Sequence, residues 1–136
     1  MLNNSLILKK YQPTHFKDYI INKKYIELFN TFIKMERLNL LLIGNSGCGK
    51  TTHIESIIKE YYHLDKIPTE NLLYINNLQD QGIQYYRTEV KNFCQIKGSI
   101  RNKKKFVILD NLDTINEQSQ QVFRNCIDKY SHNVFF

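Results

Sequence analysis

The chain has no tryptophan, two prolines, three cysteines and five glycines in 136 residues. Cys48, Cys94 and Cys126 are odd in number and widely spaced, and no metal-ligand spacing is present. This usage points to a reducing, intracellular setting, where Cys94 and Cys126 simply pack on apolar helix faces. No apolar run approaches the length of a membrane span, so no membrane partner is expected. Met1–Leu8 is too short and lacks the charged start of a secretory leader. There is no internal repeat or low-complexity tract, and the length suits a single domain spanning 1–136. Because glycine is scarce, the clustering of three glycines at 44, 47 and 49 is informative.

Gly44-Asn45-Ser46-Gly47-Cys48-Gly49-Lys50-Thr51 fits the phosphate-loop pattern G-x-x-x-x-G-K-[ST] in full, with Thr52 following. The flanks agree. Leu38–Ile43 is a short apolar run suited to a buried strand, and Ile54, Ile57, Ile58 and Tyr61 mark one face of a following helix. The glycines free the backbone, so loop N–H groups converge on phosphate oxygens and the helix N-terminus adds partial positive charge. Lys50 would neutralise β/γ-phosphate charge and the Thr51 hydroxyl would ligate Mg²⁺, which makes ATP and Mg²⁺ the expected ligands.

Along the rest of the chain, strand and helix alternate. Residues 1–21 read as an extended arm, and 22–37 as a helix capped by Asn22. Leu72–Ile75 is a strand ending in the turn-prone pair Asn76-Asn77. Ile83, Tyr86, Val90, Phe93 and Cys94 mark a helix closed by Gly98. Phe106–Leu109 is a strand with Asp110 at its C-terminal end, and Thr114 to Glu117 has capping-box form before a helix over Val122–Tyr130. Asn133–Phe136 begins a fourth strand. The order predicts a parallel sheet covered on both faces, with ligands beyond the carboxyl ends of its strands. The +6 net charge suits a polyanion or merely a basic solvated surface. The densest cluster, Lys97, Arg101, Lys103, Lys104 and Lys105, reads as an exposed loop entering a strand.

Asp110 follows four apolar residues, as the acidic residue of a Walker B strand does. It would serve the Mg²⁺ shell opposite Thr51, the alternative being a simple strand-end cap. The next position is usually a carboxylate that deprotonates the attacking water, and here it is Asn111. An amide orients water but takes no proton at neutral pH. Asp113 lies two places on, which displaces its carboxylate too far for near-attack geometry. Lys50, Asp110 and Asn111 are thus the catalytic candidates, with binding expected and hydrolysis weak or absent.

These residues resemble the nucleotide-binding domain of replication factor C small subunits, the AAA+ sliding-clamp loaders. Lys9-Lys10-Tyr11-Gln12-Pro13 is similar to the family's Glu-Lys-Tyr-Arg-Pro arm, and 16–22 to its Leu-x-Asp-Ile-Val-Gly-Asn segment. Asp80-Gln81-Gly82-Ile83 resembles its Asp-Glu-Arg-Gly-Ile, and 87–93 the Val-Arg … Ile-Lys-x-Phe that follows. Leu109–Asp113 stands where the family has Leu-Asp-Glu-Ala-Asp, and 120–124 and 127–131 resemble Gln-Gln-Ala-Leu-Arg and Ile-Glu-Lys-Tyr-Ser. The resemblance implies an α/β, P-loop NTPase (AAA+) three-layer sandwich, incomplete at its C-terminus once the fourth strand begins. It places Leu8 and Ile20 at the adenine pocket, to which the arm contributes, and Ile83 and Arg87 on a helix facing DNA. Arg87 would then meet a phosphate, or else form an ordinary surface salt bridge.

The implied partners are other clamp-loader subunits, the sliding clamp and primer–template DNA. The implied location is the nucleus or a viral replication site. The departures are Asn111 for the family's Glu and Gln12 for its Arg. The family's sensor-1 Asn, Ser-Arg-Cys finger, lid and collar lie beyond the matched stretch, which leaves an expected open sheet edge. Two other readings stand beside this one. A non-hydrolysing nucleotide-binding scaffold is favoured by Asn111. A small P-loop phosphotransferase is disfavoured because Arg87, Arg101 and Arg124 are too scattered to form a lid.

Overall fold

The structure, a computed structural model, describes residues 7–75 and 82–136. It divides into two compact units: residues up to Glu36 with Leu41–Lys66, and Arg37–Leu40 with Ile67–Phe136.

The first unit is helical. A single turn, α1 (Ile7–Lys10), leads through a 3-10 turn at Phe16–Asp18 into α2 (Lys23–Lys34). Asn22 caps α2 as expected, its side chain accepting from the Lys24 N–H at 3.0 Å. The helix stops three residues short of the predicted end, since Met35 closes it and Glu36 turns to a left-handed φ of 52°. α3 (Lys50–Tyr62) opens directly from the glycine loop, as predicted, and buries Ser56, Ile57, Ile58, Tyr61 and Tyr62. Of the four positions read from periodicity, Ile57, Ile58 and Tyr61 are buried and Ile54 is partly so, and this packing is what fixes so short a helix.

The second unit carries a three-stranded parallel sheet in the order β1 (Leu72–Ile75), β2 (Lys105–Leu109), β3 (Val134–Phe135). Leu72 pairs with Phe106 and Ile75 with Leu109, while Lys105 pairs with Val134. Between β1 and β2 the chain forms α4 (Ile83–Tyr85), one π turn (Tyr86–Val90) and α5 (Lys91–Gln95). Between β2 and β3 lies α6 (Glu117–Tyr130). Ile75, Val90, Cys94, Val107, Phe123, Cys126, Tyr130 and Val134 form one buried cluster that joins sheet and helices. Burial raises both thiol pKa values, that of Cys94 to about 12, so these cysteines pack as small apolar groups.

Four expectations need correction. Residues 38–43 form no strand. Leu38 is buried, but Leu41 and Ile43 are exposed, and among the described residues pairing is limited to one main-chain bond, Leu40 N–H to Phe136 O at 3.1 Å. The return bond from Phe136 N–H goes to the Asn39 side chain at 3.0 Å, so no ladder is built. The cap of α6 is Asn116, whose side chain accepts from Ser119 N–H at 2.8 Å, whereas Thr114 belongs to the preceding 3-10 turn at Leu112–Thr114. Gly98 lies past the end of α5 at Gln95 and is needed for space, since a Cβ there would meet Asn71 Nδ2 at 2.8 Å. Lys105 is buried at the start of β2. Its ammonium donates to Phe93 O and lies 3.8 Å from the Phe93 ring centre, and burial lowers its pKa. The Asn76-Asn77 turn and the Asp80-Gln81 part of the resemblance lie outside the described residues.

Candidate nucleotide-binding site

The loop at 44–51 belongs to the first unit. Gly47 and Gly49 have φ of 76° and 89°, a left-handed conformation that a side chain would oppose. Gly49 is the N-cap of α3, and its carbonyl takes the first helical bond from His53 N–H at 2.9 Å. The N–H groups of Lys50, Thr51 and Thr52 precede that bond, so α3 itself leaves them without partners. They sit on an exposed helix end with its partial positive charge, the arrangement that suits an anion. The Lys50 ammonium donates to Gly44 O at 2.9 Å and Asn45 O at 2.8 Å, and lies 3.9 Å from Cys48 Sγ. It is therefore held over the start of the loop by neutral acceptors, which a phosphate oxygen would exceed in strength. Asn45, Ser46 and Thr51 are exposed, and Thr52 is partly so.

The arm is strapped to α3. The Tyr19 hydroxyl donates to Thr52 O at 2.9 Å and lies 2.8 Å from Ser56 Oγ; its burial raises the phenol pKa. Gln12 Nε2 donates to Glu55 at 3.2 Å, and Phe16 N–H to Glu60 at 3.1 Å. His15 lies against Glu60 and Asp65. Main-chain donors of Thr14 and His15 surround Asp18 and hold its carboxyl below its ordinary pKa.

Where the arm meets the first turn of α3, Ile7, Tyr11, Gln12, Pro13 and Thr52 line a cavity of about 440 Å³. Leu8 shares α1 with Ile7, but its side chain is outside the described residues. Ile20 is fully exposed and lines neither this cavity nor a second one of about 310 Å³ bordered by Ile21, Asn22, Tyr25, Phe29 and His53. His53 is ringed by Phe29, Tyr19 and Phe16 at 4.7, 5.6 and 5.9 Å, and burial lowers its pKa. Periodicity did not single out Tyr11, Tyr19 or His53, because their contacts join segments distant in sequence.

The acidic group belongs to the second unit. Asp110 N–H donates to Ile75 O at 2.9 Å, which extends the β1–β2 pairing one residue past the strand. Its Oδ1 accepts from Asn111 N–H at 3.0 Å and its Oδ2 from the Tyr74 hydroxyl at 2.6 Å. Asn111 has a left-handed φ of 54° and its carbonyl accepts from Thr114 N–H and Oγ1. The Asn111 and Asp113 side chains are exposed. Arg87 lies in the π turn, exposed, and forms no ion pair among the described residues; the Ile83 side chain lies outside them.

A glycine loop opening a helix, in a chain whose sheet is parallel and carries an acid at a strand's carboxyl end, defines the class of P-loop nucleotide-binding proteins. Residues 40–136 match the ATPase family associated with various cellular activities (AAA), and residues 3–73 match the Rad17 P-loop domain. The first match covers more than half of the chain, which belongs to the AAA family and so to a nucleotide-binding fold. The chain is similar to several replication factor C subunits. It is 30% identical to subunit 3 of Schizosaccharomyces pombe over 95% of this chain and 37% of that protein. It is 34% identical to the putative small subunit L499 of Acanthamoeba polyphaga mimivirus, over 91% and 38%. Human subunit 5 is 32% identical, over 95% and 38%. The chain spans about two-fifths of the length of these relatives. Among the described residues no helix is long and apolar enough to cross a membrane.

Proposed function

We propose that this chain is the ATP-binding portion of a sliding-clamp loader subunit, working at primer–template DNA in the nucleus or at a viral replication site. The observation that carries the reading is the loop: left-handed glycines ahead of α3, with the Lys50 ammonium already folded over it. Triphosphate would be taken by the loop amides and Lys50, and adenine by the cavity between the arm and Thr52. Thr51 and Asp110 offer a hydroxyl and a carboxylate, hard oxygen donors that fit Mg²⁺, which would supply charge neutralisation on the phosphates. Arg87, exposed and without an ion pair among the described residues, is assigned to a DNA phosphate, with Ile83 beside it on the same helical stretch. Partner subunits and the clamp follow from the similarity to replication factor C.

Hydrolysis at this site is slow in this reading, because the Asn111 amide accepts no proton at neutral pH and Asp113 stands two places further along the chain. That same feature favours a second reading, a nucleotide-binding scaffold that does not hydrolyse. Calorimetry with ATP in Mg²⁺ tests the shared core: wild type binds and Lys50→Ala loses at least ten-fold in affinity. No heat of binding from folded wild-type chain overturns both readings. ATPase activity raised by primed DNA and clamp supports the loader, and tight binding with no such response supports the scaffold.

A further inference from the structure

Tyr74 occupies β1 one strand away from the acidic group, paired in register with Ile108, two residues before Asp110. Its hydroxyl reaches past the strand end to Asp110 Oδ2 at 2.6 Å, a length typical of an O–H bond to an ionised carboxylate. The opposite oxygen takes Asn111 N–H, and the Asp110 main chain is itself fixed on Ile75 O. Backbone and both carboxylate oxygens are thus held before any ligand arrives. Each oxygen has two acceptor sites, so each keeps one after these bonds. An aromatic residue in a four-residue strand needs no carboxylate partner for packing, and this ring is partly exposed, so burial does not account for the bond.

We infer that Tyr74 is the positioning residue for Asp110, a partner that fixes the carboxylate for a hydrated divalent cation. The inference rests on the nucleotide-binding reading above. Outer-shell partners of metal-binding carboxylates act by orientation, and their loss typically costs about ten- to a hundred-fold in metal affinity. A fixed carboxylate loses little rotamer freedom when the cation's water shell docks on it. The hydroxyl also draws charge from Oδ2, which opposes binding, so the sign of the effect is itself a test.

The experiment follows fluorescence of a labelled ATP analogue on the full chain while MgCl₂ is titrated, with an EDTA reference. It uses wild type, Tyr74→Phe, Asp110→Asn and the double variant. Tyr74→Phe removes one oxygen and keeps the ring, and a melting curve checks that the fold is kept. Expected is an unchanged affinity in EDTA (within two-fold), with the Mg²⁺ concentration for half the affinity gain raised about ten-fold. In the Asp110→Asn background, Tyr74→Phe adds nothing further. A Mg²⁺ titration that overlays wild type, a shift to lower Mg²⁺, an equal loss in EDTA, or a full additional loss in the Asp110→Asn background each overturns the inference. A wild-type chain that binds the analogue without any Mg²⁺ response removes the metal reading itself, a failure visible before any variant is compared.

Discussion

Two demands meet at Asn111. Its backbone is left-handed, a conformation asparagine tolerates better than glutamate, and in the proposed site it takes the sequence position of a general base. The residue therefore suits the turn and not the chemistry. We predict that Asn111→Glu lowers stability by about 1 kcal/mol while raising single-turnover ATP hydrolysis about a hundred-fold, the usual worth of a placed general base. Phosphate release and a thermal melt report the two effects separately; a variant no faster than wild type would leave catalysis with another group, and Asp113→Ala then tests the next carboxylate along the chain. His53 offers a second prediction. Burial among Phe16, Tyr19 and Phe29 lowers its pKa below the ordinary 6.5, so the folded state binds fewer protons than the unfolded one between the folded value and 6.5. The His53 contribution is fully present above about 6.5 and is lost as pH falls from there through the folded value. His53→Phe, which keeps a ring in the cluster, is expected to shrink the gap in melting temperature between pH 7.5 and pH 5. An unchanged gap would place that pH dependence outside His53 and overturn the prediction.

Helices and strands differ in how much of their cause is local. The start of α3 is written in its own loop, because the glycines that turn the chain and the residues that begin the helix are adjacent. β1, β2 and α6 were likewise legible, since each carries its apolar pattern within a few residues. The run at 38–43 is as apolar as any strand, yet a strand is a relation between two segments. Among the described residues its one main-chain hydrogen bond is to Phe136, which returns a bond to a side chain in place of the main chain. Tyr74 escaped notice for the same reason, as nothing in Leu72–Ile75 reveals which acid stands across the register. The α6 cap shows a finer failure. Thr114 to Glu117 satisfies the capping-box spacing, but Thr114 lies in the preceding turn, its hydroxyl donating to Asn111 O, and Asn116 does the capping. Asn116→Ala should accordingly cost about 1 kcal/mol, with Thr114→Ala costing less than half of that. Urea denaturation of the two variants checks this, and equal losses would restore Thr114 as part of the cap.

Charge belongs to the entire chain. A surplus of six positive charges attracts any polyanion, so DNA retention by itself says little about a loader. What separates a placed contact from a diffuse one is the salt dependence of single substitutions. Each phosphate neutralised contributes about 0.9 to the slope of log affinity against log salt. Arg87, Lys97 and Arg101 are all exposed, and Arg87 alone lies on the stretch assigned to DNA. If that assignment holds, Arg87→Ala lowers the slope by about 1 on primed duplex, while Lys97→Ala and Arg101→Ala leave it nearly unchanged. Equal small losses from all three would mean that DNA sees only net charge, because a delocalised field weakens a little with every cation removed, whereas a phosphate seated on one guanidinium is lost with that group alone.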